Sequence, residues 1–359
     1  MTTWQKLKNN PGLWQRYFMR EKLIKAIRSF FDEQHFHEVE TPTLIGHPPA
    51  ESYLEIFSTI LLDRKRRATP MYLATSPEAS LKKLLVAGIG NCYSITKSFR
   101  NTETGSSTHS PEFTILEWYR VGSTYMDIMT DCEEMFLHVL KTISHDHNKA
   151  KPCRQGLALN AQTLSYQNNC INFTPPWPRV SIKEIFKEFA HTDLEKFFDI
   201  KIARRVCRDK GYTVNSKNTW EELYNQIFLN EIEPHLGKNK PIILYDYPSR
   251  MAALAAKKKD ADPRYAERFE LYVGGLEIGD CCSELTDPIE QKKRFINETK
   301  EITRLGKTAY EYDKKFIEAL KFGLPPCAGI AVGIDRLLML LLDTTNIKDT
   351  LLFPIEDLL

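Results

Sequence analysis

Apolar residues recur at a spacing near 3.6 from residue 13 to 34, through Trp14, Tyr17, Phe18, Leu23, Ile24, Ile27, Phe30 and Phe31. The spacing predicts an amphipathic helix that ends before a turn at His35, followed by a strand over 36–41. Residues 47–70 show no period and read as irregular, with His47-Pro48-Pro49 early and the basic run Arg64-Lys65-Arg66-Arg67 near Pro70. A strand is expected over 71–75. Ser76-Pro77 then punctuates the chain before a helix over 78–87, with Ser76 as N-cap and Pro77 at the first helical position. Alternation takes over in 113–119, a β-rich run in which Phe113, Ile115, Glu117 and Tyr119 share one face. Helical spacing returns over 124–144 through Met126, Met129, Met135, Phe136, Val139 and Leu140.

From 145 to 180 the pattern breaks into polar residues, two cysteines and Pro175-Pro176-Trp177-Pro178, which predicts an irregular insertion. Helical segments follow over 181–190, 194–210 and 220–232. The block 181–235 reads as a helical insertion within a single domain spanning 1–359. A strand is expected over 241–248, and 268–279 reads as two strands around the turn Gly274-Gly275.

Composition narrows the function classes. The 359 residues are enough for a sizeable core. Basic and acidic residues nearly balance, 49 against 47, so no global positive field argues for nucleic acid. A basic run as short as 64–67 is expected to be a solvated turn. The eight cysteines lack paired CxxC spacing and Cys281-Cys282 are adjacent, which suits neither a zinc site nor an extracellular disulfide frame. The N-terminus has no apolar signal core. Residues 337–342 are apolar but far short of the ~20 residues of a membrane span. A soluble protein of a reducing cytoplasm is expected.

The candidate chemistry lies in two hairpins. Arg100 opens the first, Glu103 follows, and the returning run presents Glu117 and Tyr119 on one face. Such a hairpin can grip a phosphate and an amine together, and buried polar groups of this kind need a partner. In the second, Glu270 and Glu277 approach one another, and two like charges call for a cation. Oxygen ligands suit Mg²⁺ bound together with nucleotide phosphates.

The stretch from Phe99-Arg100-Asn101-Thr102-Glu103 through His109-Ser110-Pro111-Glu112-Phe113 to Glu117-Trp118-Tyr119 resembles motif 2 of the class II aminoacyl-tRNA synthetases, in its lysyl form. Gly329-Ile330-Ala331-Val332-Gly333-Ile334-Asp335-Arg336 resembles motif 3, and Glu40-Thr41-Pro42 the proline region of motif 1. Thr75-Ser76-Pro77-Glu78, Glu277-Ile278-Gly279-Asp280 and Ser283-Glu284-Leu285-Thr286-Asp287 fall where a lysine enzyme has its amino-acid pocket. Five elements in order are far more specific than one.

The resemblance implies an α+β catalytic domain, an antiparallel sheet flanked by helices, that makes an aminoacyl-adenylate from ATP with Mg²⁺. It implies that Arg100 and Arg336 are catalytic and bind ATP. Glu103 and Phe113 would hold adenine, His109 the distal phosphates, and Glu270 and Glu277 the metal. Ser76, Glu78, Glu117, Tyr119, Asp280, Glu284 and Ala331 would form the amino-acid pocket. It also implies a homodimer built on the first helix and the strand before Pro42. The catalytic pattern begins almost at once, so no anticodon-reading barrel is expected.

Three departures stand out. The motif 2 acid normally sits where this chain has Thr102; a one-residue insertion that moves the role to Glu103 is expected, accommodated by a bulge. Asp280-Cys281-Cys282 replaces Asn-Gly-Phe; Asp280 is expected to pair with a substrate ammonium, the alternatives being a protonated or outward-facing carboxyl or a helper acid for the metal pair. Ala331 replaces a glycine. With the missing barrel, this is similar to the synthetase paralogues that attach β-lysine to a lysine of elongation factor P. The partners implied are a lysine-like amino acid and a protein acceptor, with neither tRNA anticodon nor membrane.

Overall fold

The computed structural model describes residues 2–145, 162–252, 254–258 and 262–359. Eight strands form the central sheet, in the order His37–Glu38, Cys92–Phe99, Glu112–Val121, Cys327–Gly333, Leu276–Ser283, Arg268–Val273, Ile242–Tyr245, Arg179–Ser181. Neighbours are antiparallel except at the two ends, where His37–Glu38 and Arg179–Ser181 pair parallel to their neighbours. The expected α+β architecture is present.

Strand alternation sorts the side chains between two faces. Leu116, Trp118, Ile330, Val332, Cys281 and Phe269 point into one core, closed by the helices Trp14–Glu33, Tyr125–His145 and Ile334–Leu342. On the other face, the helices Glu78–Val86, Pro288–Arg304 and Lys314–Gly323 bring Leu81, Leu85, Phe295 and Phe316 against Cys92 and Tyr119. The site occupies this second face. Motif 3 is tied to the helix Trp14–Glu33 by Asp335, which is buried, pairs with Arg20 and accepts the Thr114 N–H at 2.7 Å.

Several elements differ from expectation. The helix Trp14–Glu33 buries Leu23, Ala26, Ile27, Phe30 and Phe31, but Trp14 and Phe18 are 40% and 46% exposed and stack at 5.9 Å. The strand before Pro42 contracts to His37–Glu38. Residues 47–70 are not irregular throughout: Ser58–Leu62 pairs antiparallel with Ala68–Leu73. All five residues of Ser58–Leu62 are exposed, so no alternation marks that strand. The basic run forms its turn, where Asp63 accepts from the Lys65 and Arg67 N–H groups and the Arg67 side chain.

The expected irregular insertion over 145–180 is corrected in part. Thr163–Tyr166 and Asn169–Asn172 form a hairpin, and Arg179–Ser181 joins the sheet. The hairpin turn places Gln167 and Asn168 at φ 50° and 64°, positions usually marked by glycine, and that missing mark hid it. Residues 146–161 lie outside the described residues. The helices Ile182–Glu188, Leu194–Phe197, Ile200–Asp209 and Trp220–Ile227 match the expected block. Ser181, Asp193, Asp199 and Thr219 cap them, each worth about 1 kcal/mol. Their core runs into the sheet through Leu244, Tyr247 and Tyr272. Among the described residues six cysteines are free thiols and Cys170 is disulfide-bonded. Among the described residues no helix is long and apolar enough to cross a membrane.

Candidate active site

Strand register lines the candidate residues up in two rows across the sheet. One row runs Ser94, Glu117, Ala331, Asp280, Glu270, and the next runs Cys92, Tyr119, Gly329, Cys282, Arg268. Paired residues point to the same side, so one face carries both rows. Gly329 is required there, because a Cβ would sit 2.4 Å from the Tyr119 ring.

Beyond these rows along the strands, past the paired Ser98 and Phe113, lies Arg100, and Arg336 stands on the helix that follows the strand Cys327–Gly333. Arg100 has its Nε buried without a partner, and its guanidinium lies 5.1 Å from the Phe113 ring centroid. Arg336 donates to the Thr108 carbonyl at 3.1 Å, the Glu277 carbonyl at 2.7 Å and His109 Nε2 at 2.8 Å. To accept that bond His109 must be neutral. Burial and the two arginines lower its pKa to about 4, so it is neutral near pH 7, and its other nitrogen meets Ser106 and Thr108. Thr102, a β-branched residue, is held at φ 66°. Glu103 then comes under the influence of both Arg100 and Arg336, which counter the rise in its pKa caused by burial.

On the rows themselves, around Glu117 and Tyr119, is an acid cluster built around a lysine. Lys82 is 1% exposed and forms ion pairs with both Glu78 and Glu284. Its ammonium also lies 5.9 Å from the Tyr119 ring centroid. Tyr119 donates to Glu117 Oε1 at 2.6 Å, while Glu117 Oε2 is buried with no partner. Burial, reinforced by Glu78, pushes the Glu117 pKa far above the usual carboxylate range. Burial likewise raises Glu284, although Lys82 opposes it. Lys82 itself is held charged by its two acids. The helix begins at Glu78 with Pro77 as N-cap, and Ser76 Oγ accepts the Glu78 N–H at 3.4 Å. The expected Ser76 cap is therefore displaced by one residue.

The second hairpin differs from a plain two-strand pairing. Glu270 lies opposite Asp280 and Glu277 opposite Tyr272, with Ile278 as an extra residue. This bulge turns Ile278 into the core and keeps Glu277 on the site face. Gly274 and Gly275, at φ 64° and 84°, make the turn. Asp280 does not await a substrate cation. Arg268 grips it with two bonds, at 2.8 and 2.9 Å, and also donates to Glu270 at 2.6 Å. Glu270 Oε2 accepts from the Tyr247 and Tyr272 hydroxyls, both at 2.6 Å.

For a metal, this leaves Glu270 one lone pair on Oε1 and leaves Glu277 an oxygen met only by Arg336 at 3.4 Å. Among the described residues, His, Cys, Asp and Glu gather nowhere in a group of three or more that could hold a metal ion. Two acids without a cage fit Mg²⁺ that arrives with phosphate ligands, and would not hold the ion alone.

Lys82 and Arg268 are the principal residues that the sequence reading missed. Lys82 stands four residues after Glu78 on the same helix face, and Arg268 two before Glu270 on the same strand face, so each spacing carried the signal.

The chain matches the family described as tRNA synthetases class II (D, K and N) over residues 3–357. It is 34% identical over 348 residues to a lysine–tRNA ligase of Moorella thermoacetica, covering 96% of this chain and 66% of that protein. Against the lysine–tRNA ligase of Bacillus subtilis it is 32% identical over 345 residues, covering 96% and 64%. The chain thus spans just under two thirds of the length of these relatives.

Proposed function

The chain belongs to the class II tRNA synthetases of the D, K and N kind, and from that premise we propose that it uses ATP to activate a lysine-like amino acid, with β-lysine favoured. The acyl group then passes to a lysine of a protein acceptor such as elongation factor P. The observation that carries the reading is the shared sheet face, with Glu117, whose Oε2 is buried without a partner, on it and Arg100 farther along the same strands, past Ser98 and Phe113.

In this reading Arg100 binds the α-phosphate, where charge builds as the amino-acid carboxylate attacks. Adenine stacks on Phe113 and the aliphatic part of Arg336, and Glu103 accepts from its amino group. His109 holds Arg336 toward the distal phosphates. When bound with ATP, Mg²⁺ at Glu270 and Glu277 supplies positive charge against the leaving pyrophosphate. Positioning of two substrates then contributes much of the rate. Ser76 and Glu78 take the backbone ammonium, and Glu117, Tyr119 and Glu284 the side-chain ammonium. An uncharged side chain would leave Glu117 Oε2 without a partner, which is a basis for rejection.

Ala331 favours the β-amino acid, since its methyl lies on the pocket floor between Glu117 and Asp280. Asp280 acts through Arg268, whose charge it shares with Glu270. The exposed Trp14 and Phe18 support a homodimer through the first helix. A second reading, transfer to tRNA, is favoured by the names of the relatives.

Intact-mass measurement separates the two. Elongation factor P incubated with the chain, ATP and β-lysine should gain one acyl unit. Label recovered in acid-precipitable tRNA, with the protein unchanged, would replace this reading with the second.

A further inference from the structure

The helices Pro288–Arg304 and Lys314–Gly323 leave a groove of about 750 Å³ on the outer surface. Ile289, Lys293, Ile296 and Lys300 follow one another at intervals of four, three and four residues. Apolar and basic side chains therefore alternate along one stripe of the helix Pro288–Arg304. Ile289 is 80% exposed and Ile296 37%, while the buried Ile317 lines the groove from the other helix. Lys292, Lys293, Lys300 and Lys321 stand exposed around it. Among the described residues none of these four ammonium groups meets a carboxylate. The acids of the same helix turn elsewhere: Glu290 to Arg294 and Lys257, Glu298 to the Ser52 N–H, and Glu301 to Arg304. On an ordinary solvated helix face, acids three or four residues away would answer the lysines. Here a positive rim surrounds an apolar floor.

The helix that carries the stripe is built into the site. Its N-cap, Asp287, stands three residues after Glu284, which pairs with Lys82. Arg294 donates to the Ala252 and Ala255 carbonyls at 2.6 and 2.8 Å, next to Met251, whose carbonyl accepts from Arg268 at 3.2 Å. Phe295 packs in the core shared with Cys92 and Tyr119. The stripe begins five residues after Glu284, at most about 18 Å along the chain, and runs for about 16 Å. A protein that presents one lysine to the reacting carbon must be held by surface outside the pocket, and this surface lies within one domain's reach of it.

We infer that this groove docks the acceptor protein through an acidic segment that also carries apolar side chains. The inference rests on the proposed function and adds the surface that holds its partner. An amphipathic helix of about three turns matches the groove in length, with acids set against the lysines and apolar groups against Ile289 and Ile296. Nucleic acid fits less well, because a phosphate backbone offers nothing to bury against the two isoleucines. Charges on this rim act over about 10 Å at 0.1 M salt. They therefore govern encounter and KM for the protein, and leave the chemical step alone.

The test uses the full chain and elongation factor P, with acyl transfer followed by intact mass across acceptor concentration and salt. Lys293→Glu with Lys300→Glu should raise KM for the protein about tenfold at unchanged kcat, and flatten the rise of KM with salt. Ile289→Ser with Ile296→Ser should also raise KM but leave the salt dependence in place. Neither pair should change pyrophosphate exchange, or transfer to an α-blocked lysine amide, which has no surface to dock. An unmoved KM for elongation factor P, or equal losses on the amide, would overturn the inference. Binding of tRNA that the lysine changes abolish, with KM for the protein unmoved, would assign the groove to nucleic acid and overturn it too. These outcomes sink this inference alone. A wild-type chain that exchanges pyrophosphate but acylates no protein sinks the functional reading, and this one with it.

Discussion

Replacing Lys82 with methionine removes the ammonium that faces Glu78 and Glu284 while keeping most of the buried stem. Lys82 is 1% exposed, and stripping one partner from a buried ion pair costs about 3–5 kcal/mol. That figure should depend on pH. Lys82 has its pKa raised in the fold, so its contribution is complete below the ordinary lysine pKa and fades only as pH rises through the raised one. Across pH 5 to 8.5 its charge is undiminished, and the ionisation of its partner Glu284 is what changes. The acids behave otherwise. Burial raises Glu117 and Glu284, so the native state keeps protons that the unfolded chain loses near the ordinary carboxylate pKa, and stability falls as pH climbs beyond it. Without Lys82 those pKa values rise further and the fall steepens. Urea unfolding should therefore show a smaller Lys82→Met loss at pH 5, where its partner Glu284 is neutral and the pair is reduced to about the 1 kcal/mol of a hydrogen bond. At pH 8.5 the loss should reach the buried-pair range. An equal loss at both pH values would mean that Lys82 acts by packing, and would refute the cluster.

Asp280→Asn should lower KM for α-lysine about tenfold: two charges 4 Å apart cost about 4 kcal/mol at an effective dielectric of 20, and Arg268 already offsets most of it. An unchanged KM in amino-acid-dependent exchange would remove Asp280 from specificity. Ala331→Gly should improve α-lysine over β-lysine by about 1–3 kcal/mol, the usual worth of one methyl-sized change; the ratio of kcat/KM values measures it, and an unmoved ratio counts against the pocket floor. Light scattering should report a dimer at micromolar concentration that Trp14→Ser with Phe18→Ser dissociates, and a wild-type monomer would end that proposal.

Long periodic elements were legible in the sequence. The face shared by Phe113, Ile115, Glu117 and Tyr119 follows from alternation alone, and the sheet register confirms that sorting. The first helix was legible in position but not in burial, because periodicity cannot say which part of a stripe finds a partner. Ser58–Leu62 escaped notice because both its faces are exposed. The Thr163–Asn172 hairpin escaped because Gln167-Asn168 turns without glycine. Within the site, the motif acids could be named but not their counter-ions. Asp280 read as a charge in search of a cation, and only the antiparallel register shows Arg268 and Glu270 beside it.

Amino-acid-dependent exchange of labelled pyrophosphate into ATP tests the central claim most directly, because it needs no acceptor. Run with a panel containing α-lysine, β-lysine, ornithine, arginine and leucine, it should show exchange with the lysine isomers, strongest for β-lysine. Leucine should give none, and Arg100→Ala should abolish the signal. Exchange with leucine as strong as with either lysine isomer, or no exchange with any amino acid at saturating ATP and Mg²⁺, would contradict the account.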